Sequence, residues 1–333
     1  MASPTPPSDT VWREIQLRYK LAPPSFKNLL AIHSTPSRQD VLRQACYCTE
    51  FATFPFSPAD KPFFREVNDH CPIPYRIPQP LEHSWQKVFL LVQIDLARCG
   101  WPNKLSAVAR KELHSERGRI YKVLDQVLRC LVDILGQKLD GSGVVTALDV
   151  LRSVTAGAWE GNGMDLLQIE GIGPAKAQKL NQAGIKTIQH LSKLEFYHIE
   201  RLLSRNPPFG QQLHRKVSGF PRLVLTVRSV EDHPYNTGIH STQPGSSQQP
   251  MLRILLWYEN EELPIWDKKS PWTTLTINGE DGRLLWFWRG SIKRLTGRKD
   301  MVVRLPARCH ETVHVIFACE TIVGTVQRAT VEL

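Results

Sequence analysis

Near Phe220 the apolar residues of this 333-residue chain change their spacing, and no single layer of secondary structure accommodates both halves. Upstream, Trp85, Val88, Phe89, Val92 and Leu96 recur every three or four residues, which marks one face of an α-helix between Ser84 and Cys99. Ile120, Leu124, Val127, Leu131 and Ile134 repeat the stripe, and Val144 to Val154 gives a third, with the small-residue run Asp140 to Gly143 read as the loop between them. Downstream come seven short runs rich in Val, Leu, Ile, Thr and Trp: RLVLTV, MLRILLWY, WTTLTI, RLLWFWRG, DMVVRL, ETVHVIFA and IVGTVQ. Turn pairs such as Asn278-Gly279 and Asp281-Gly282 separate them. The pattern predicts a multidomain chain, α then β: a helical bundle over 11–160, a helical hairpin over 161–220 and an antiparallel β-sandwich over 221–333. Two stretches are expected to be disordered, the Pro/Ser/Thr-rich tail 1–10 and the polar loop 231–250 between the first and second strands. Ser37 and Asp40 are placed to cap a short helix starting near Val41, and the Pro-rich CPIPYRIPQP (Cys71 to Pro80) reads as a stiff connector at an internal boundary.

The most informative single stretch is LLQIEGIGPAKAQKLNQAGIKTIQHL, Leu166 to Leu191. Gly171-Ile172-Gly173 makes a tight turn, Pro174 suits the first helical position because its missing N–H would be unpaired there, and Gly184 suits a left-handed helix end. Thr187 is placed to cap a third short helix through Ile188 and Leu191. Two readings of this turn stay open. Its glycines let backbone approach a ligand while free amides at the helix start favour an anion, with Lys176 and Lys179 beside it and Lys186 nearby. Alternatively it joins two packed helices and serves as a spacer or protein-docking surface.

Charge leans towards the first reading. Lys and Arg total 42 against 32 Asp and Glu, a net charge of +10, and the 161–220 stretch holds eight Lys or Arg against four Asp or Glu. Such a field draws polyanions, and with no pattern for reading base edges any binding is expected to be sequence-tolerant. A second candidate contact is the aromatic and basic run Arg283 to Lys299, where Arg289, Lys293 and Arg294 would clamp phosphates. Strand alternation instead sends Trp286 and Trp288 to one face and into a core.

Several chemistries lack a foothold. No phosphate-binding Gly-x-x-x-x-Gly-Lys-Ser/Thr loop and no Gly-x-Ser-x-Gly elbow occurs, so the chain is expected to have no catalytic residue, to bind no ATP or Mg²⁺ of its own and to hydrolyse nothing. Cys309, His310 and His314 are spaced too far along a strand to share a metal, and Cys46 and Cys48 lack redox-pair spacing. Seven scattered cysteines suit a reducing compartment, and neither a signal peptide nor a membrane span is expected, since the first ten residues have no apolar run and nowhere do eighteen apolar residues follow one another.

The run from Leu166 to Val227 resembles the Sec sixty-three domain, the C-terminal cassette of Ski2-like helicases. SRNPPFG at Ser204 to Gly210 is similar to the meiotic crossover, MER-type branch of ATP-dependent DNA helicases rather than to the spliceosomal branch. Weaker similarity covers EIQLRYKLAPPSF, EFATFPFSPADKPFFREVN and HSWQKVFLLVQIDLARC. ACETIVGTV departs from the family, which often carries an acidic turn before an aromatic-Val-Gly there. The resemblance implies a helical bundle, a helix-hairpin-helix, then an immunoglobulin/fibronectin III-like sandwich. It implies a nuclear, non-catalytic accessory cassette that binds single-stranded or branched DNA and packs on helicase motor domains, in cis or in trans, which carry the ATP and lie upstream in full-length relatives. Recombination proteins are further implied partners, and Arg205 joins Gly171, Ile172, Gly173, Lys176, Lys179 and Lys186 as implied contacts. The rival expectations are a protein-interaction scaffold that never touches nucleic acid and a cassette of a spliceosomal RNA helicase relative. The translocation relative of the endoplasmic reticulum would need membrane spans and a J domain.

Overall fold

The computed structural model describes residues 8–161, 163–230, 249–308 and 310–333. Seven α-helices come first: α1 (Asp9–Tyr19), α2 (Pro23–Leu30), α3 (Arg38–Cys46), α4 (Lys61–His70), α5 (Ser84–Ala97), α6 (Ala107–Gln137) and α7 (Gly141–Ala156). α1 begins inside the stretch expected to be a loose tail, with Ser8 as its N-cap, and residues 1–7 of that tail lie outside the described residues. The Ser37/Asp40 capping box is present, but α3 starts at Arg38, three residues before Val41, because Ser37 is itself the N-cap. Asp140 caps α7 by accepting the Gly143 amide at 2.8 Å, so Gly141 to Gly143 form its first turn rather than a loop. Glycine is needed at 141 for space, since a Cβ there would sit 2.4 Å from Asn278 Oδ1.

All three expected stripes face the core, with Trp85 only partly buried, yet α5 is covered on its other side too. Gln86, Lys87 and Gln93 are also inside, with Lys87 Nζ 3.0 Å from Asp60 and 2.8 Å from Glu116. Gln93 both accepts from the Tyr75 amide (2.8 Å) and donates to the Tyr75 carbonyl (3.0 Å). Asn68 does the same for Ile77, at 2.8 and 3.0 Å. These two amides stand in for a neighbouring strand along a segment whose prolines lack donors. The Pro-rich segment therefore marks no boundary: Ile73 and Ile77 belong to the same core as α4 and α5.

A 3₁₀ turn at Asp165–Gln168 leads into α8 (Pro174–Gln182), α9 (Ile188–Leu191), α10 (Phe196–Leu203) and α11 (Phe209–Ser218). Seven strands follow: β1 (Leu223–Val230), β2 (Met251–Tyr258), β3 (Trp272–Gly279), β4 (Leu284–Ser291), β5 (Lys299–Arg304), β6 (Thr312–Cys319) and β7 (Gln327–Glu332). They form two antiparallel sheets, β1-β2-β5 and β4-β3-β6-β7, whose inward Leu252, Ile254, Leu275, Ile277, Val315 and Phe317 share one core. Six of the seven runs read from sequence are strands. The seventh, IVGTVQ, lies mostly in the loop before β7, where Ile322 and Val323 are buried against the preceding helices' core. The expected loop 231–250 falls outside the described residues except at 249 and 250.

β4 is enclosed on both sides. A register shift opposite Ile277/Asn278 inserts Leu285, so Leu284, Phe287 and Arg289 turn to the helices while Trp286 and Trp288 pack on the sheet core. The tryptophans thus fill a core, and Arg289 is no surface cation. Its Nη1 lies 3.1 Å from Asp133 on α6 and its Nε 2.9 Å from the fully buried Glu320. Arg129 reaches the same Glu320. Backbone bonds lace the joint as well: Leu284 N donates to Leu139 O at 2.7 Å and Ser142 N to Gly282 O at 2.9 Å.

Candidate nucleic-acid interface

The turn before α8 is built locally. Ile169 and Ile172 point inward and are buried, and the Ile172 amide donates to Ile169 O at 3.0 Å, which closes the turn. Gly171 takes φ +92°, a conformation that favours glycine. Gly173 is the N-cap and Pro174 the first helical residue. The end of α8 is a Schellman arrangement: Gly184 has φ +82°, its amide donates to Asn181 O (3.0 Å), and the Ile185 amide donates to Leu180 O (2.9 Å). Thr187 then caps α9 by accepting the His190 amide at 3.1 Å.

Gly171, Gly173, Pro174 and Ala175 are exposed, and a Cβ built on either glycine would meet nothing within 4 Å. The neighbouring helices and sheets therefore leave the approach open. Helix geometry gives the amides of Gly173, Ala175 and Lys176 no acceptor within α8, and Pro174 contributes none. Ile172, expected among the contacts, is buried and its amide is already bonded to Ile169 O, so it anchors the turn in the core. Ala175, the second residue of α8, is exposed beside the turn; counting positions from Pro174 would have found it.

Lys176 bends back over its own turn. Its Nζ donates to Gly171 O at 2.6 Å and lies 4.5 Å from the Phe209 ring centroid. Partial burial, then the nearby Arg205 charge, lower its pKa from the ordinary lysine value. Arg205, in the α10–α11 connection, thus lies near enough for its charge to act on Lys176. Lys179 is exposed one turn further along α8. Lys186 is exposed but lies past the C-terminal end of α8, a helix length of roughly 13 Å from the turn. Lys293 and Arg294 are exposed just after β4, whereas Arg289 is withdrawn into the joint described above. On the turn's other flank, Glu170 Oε2 accepts from Lys216 Nζ at 2.7 Å, and that bond holds its carboxyl below the usual range.

The SRNPPFG segment owes its glycine to helix contact. The Gly210 amide donates to the buried Glu200 Oε1 at 2.8 Å, and a Cβ there would lie 2.1 Å from Phe196 O. Gly210→Ala is expected to lose roughly 1–3 kcal/mol through overpacking of α10 on α11. Thermal unfolding measures this, and an unchanged midpoint would mean that the two helices separate freely.

Among the described residues no group of three or more His, Cys, Asp or Glu is placed to hold a metal, and no helix is long and apolar enough to cross a membrane. Cys309, one of the weighed ligands, lies outside the described residues. His314 Nδ1 lies 3.3 Å from Thr330 Oγ1, and Cys46 and Cys48 are both buried.

The α8 entrance, with its exposed glycines, thus sits on an arm of short helices that lies in sequence between the helical bundle and the two antiparallel sheets. The Sec63 Brl domain model matches residues 14–332, and the chain belongs to that family. It is 24% identical over 226 residues to the ATP-dependent DNA helicase MER3 of Saccharomyces cerevisiae, covering 66% of this chain and 19% of that protein. The probable ATP-dependent DNA helicase HFM1 of Xenopus tropicalis is 22% identical over 223 residues, 66% of this chain and 16% of that protein. A DNA polymerase IV of Oceanobacillus iheyensis is 30% identical over 117 residues, 34% of this chain and 27% of the polymerase. The chain thus spans less than a fifth of the length of these two helicases.

Proposed function

We propose that this chain is the accessory cassette of a meiotic-type DNA helicase, and that residues 166–191 work as a helix-hairpin-helix on the sugar-phosphate backbone of single-stranded or branched DNA. The observation that carries the reading is the α8 entrance: exposed residues at a helix start, with Lys176 folded over the turn, the Arg205 charge near it and no carboxylate bonded to either among the described residues. Like charges held together raise the free energy of the empty site, and a phosphate oxygen between them relieves it. Gly171, Gly173, Ala175, Lys176, Lys179 and Arg205 carry the contact, Lys186 extends it at the far end of α8, and Lys293 and Arg294 form a separate secondary surface.

Similarity to two DNA helicases and a DNA polymerase supports DNA over RNA as the ligand. In the same reading 11–160, 161–220 and an immunoglobulin/fibronectin III-like 221–333 form three working parts, helicase motor domains supply ATP hydrolysis and Mg²⁺, and the setting is the nucleus, with recombination proteins as partners. The docking reading draws on Phe196 and Tyr197 of α10, which are 40% and 53% exposed.

Filter binding of an oligothymidylate across a salt series tests the proposal. Three phosphate contacts, at Lys176, Lys179 and Arg205, give an expected slope of about −2 in log affinity against log salt. No retention at low salt, or a flat series, would leave the docking reading.

A further inference from the structure

β3 is buried along its whole length except at its first residue, Trp272, which is 51% exposed. A large aromatic left in water at the head of a buried strand calls for a reason. Trp272 borders a groove of about 770 Å³ walled by α6, the end of α7, Ile169-Glu170, α11 and the 265–272 loop. That loop is a firm platform. Trp266 and Lys269 exchange backbone hydrogen bonds at 2.9 and 3.0 Å around Asp267 and Lys268, both at positive φ as a two-residue hairpin turn requires. Phe220 packs edge-on against Trp266 at 5.4 Å, and Gly219 lies so close beneath that a Cβ would sit 2.1 Å from Ile265 O. Six Lys or Arg and three Asp or Glu line the groove, which reaches the residue immediately before the Gly171 turn.

We propose that this groove takes the continuation of a single-stranded nucleic acid leaving the α8 entrance, with a base stacked on Trp272, phosphates met by Lys268, Lys269 and Arg215, and Glu170 restraining affinity by occupying Lys216. The inference rests on the strand-binding reading above and assigns it a second segment. Charge complementarity and continuity with the turn select a polyanion, and an exposed indole among cations suits a strand whose bases are free to stack. Glu170 is the acidic residue at the junction: its carboxylate bonds Lys216 and also feels the charge of Lys268. An incoming strand competes with that carboxylate.

The test is fluorescence anisotropy of the full chain with labelled oligothymidylates of about six and about twenty nucleotides, lengths on either side of a single-strand site. Trp272→Ala is expected to weaken the long oligonucleotide roughly tenfold and leave the short one unchanged, Trp272→Phe to restore most of the loss, and Glu170→Gln to tighten the long one several-fold. If Trp272→Ala and Glu170→Gln both leave the long oligonucleotide unchanged while Lys176→Glu with Lys179→Glu weakens it, the groove is overturned and the turn stands. If neither length binds the native chain, both fall.

Discussion

Replacing Arg152 by Met is expected to remove about 3–5 kcal/mol of folding stability, the range for breaking a buried ion pair from one side. Arg152 is 2% exposed on α7. Its Nε donates to Glu160 Oε2 at 2.8 Å and its other end contacts Asp149. Met fills similar volume but leaves the Asp149 carboxylate with only Arg38, whose Nη2 lies 3.2 Å away, and the Glu160 carboxylate with no cation, since Arg38 Nη1 donates to the Glu160 backbone O at 3.0 Å. The damage should spread beyond α7, because Glu160 Oε1 also accepts the Gly324 amide at 3.2 Å and Gln168 is bonded to Val323 through both its amide atoms. Urea unfolding measures the loss. Neutralising all three partners, Arg152→Met with Asp149→Asn and Glu160→Gln, should recover much of it, since no uncompensated charge then remains inside. A loss below about 1 kcal/mol for the single variant, the range of exposed pairs, would show that water reaches the cluster.

This cluster explains why the arm keeps its position. Ala158 to Phe220 shares a core with both sheets, the four-stranded sheet is tied to α6 through Glu320, Arg289 and Asp133 and to α7 through the Ser142 amide on Gly282 O, and Arg152 with Glu160 closes the circuit between bundle, arm and the loop before β7. The α8 entrance is thus mounted on rigid structure while its glycines remain in solvent. A site fixed in this way loses little conformational freedom when a ligand arrives.

What was legible in the sequence was whatever depends on neighbours a few residues away. The Gly171 turn, Pro174 at the first helical position, the Gly184 termination and the Thr187 cap all follow from local backbone preference, and so they could be read in order. The stripe of α5 was equally clear, but not the burial of Gln86, Lys87 and Gln93 behind it, because their partners Pro80, Asp60, Glu116 and Tyr75 lie on other segments. β7 was misplaced because Ile322 and Val323 look like strand residues but plug the joint against the arm. The true strand, Gln327 to Glu332, alternates half-buried and exposed residues at a sheet edge and has little apolar content. Arg289 looked like a surface cation for the same reason: Asp133 is 156 residues away in sequence. At the entrance itself, Lys176 and Lys179 were visible from helix spacing, whereas the approach of Phe209 and the bond from Lys216 to Glu170 exist only after α11 folds back.

Reversing Lys176 and Lys179 to Glu together is expected to lower single-stranded DNA affinity at least tenfold at low salt. It should also flatten the salt slope by about 1.4, two phosphate contacts at 0.7 each. The variant has an unusual advantage as a probe. Position 176 is the third residue of α8, where a carboxylate is favoured by the helix dipole, so Lys176→Glu should preserve the helix even as it repels phosphate. The lost bond from Lys176 Nζ to Gly171 O is replaceable by water at this exposed turn. Circular dichroism and thermal unfolding should therefore match the native chain within about 1 kcal/mol while binding collapses. An unchanged affinity in a folded variant would assign the arm to protein docking, and Phe196 and Tyr197 would become the residues to substitute next.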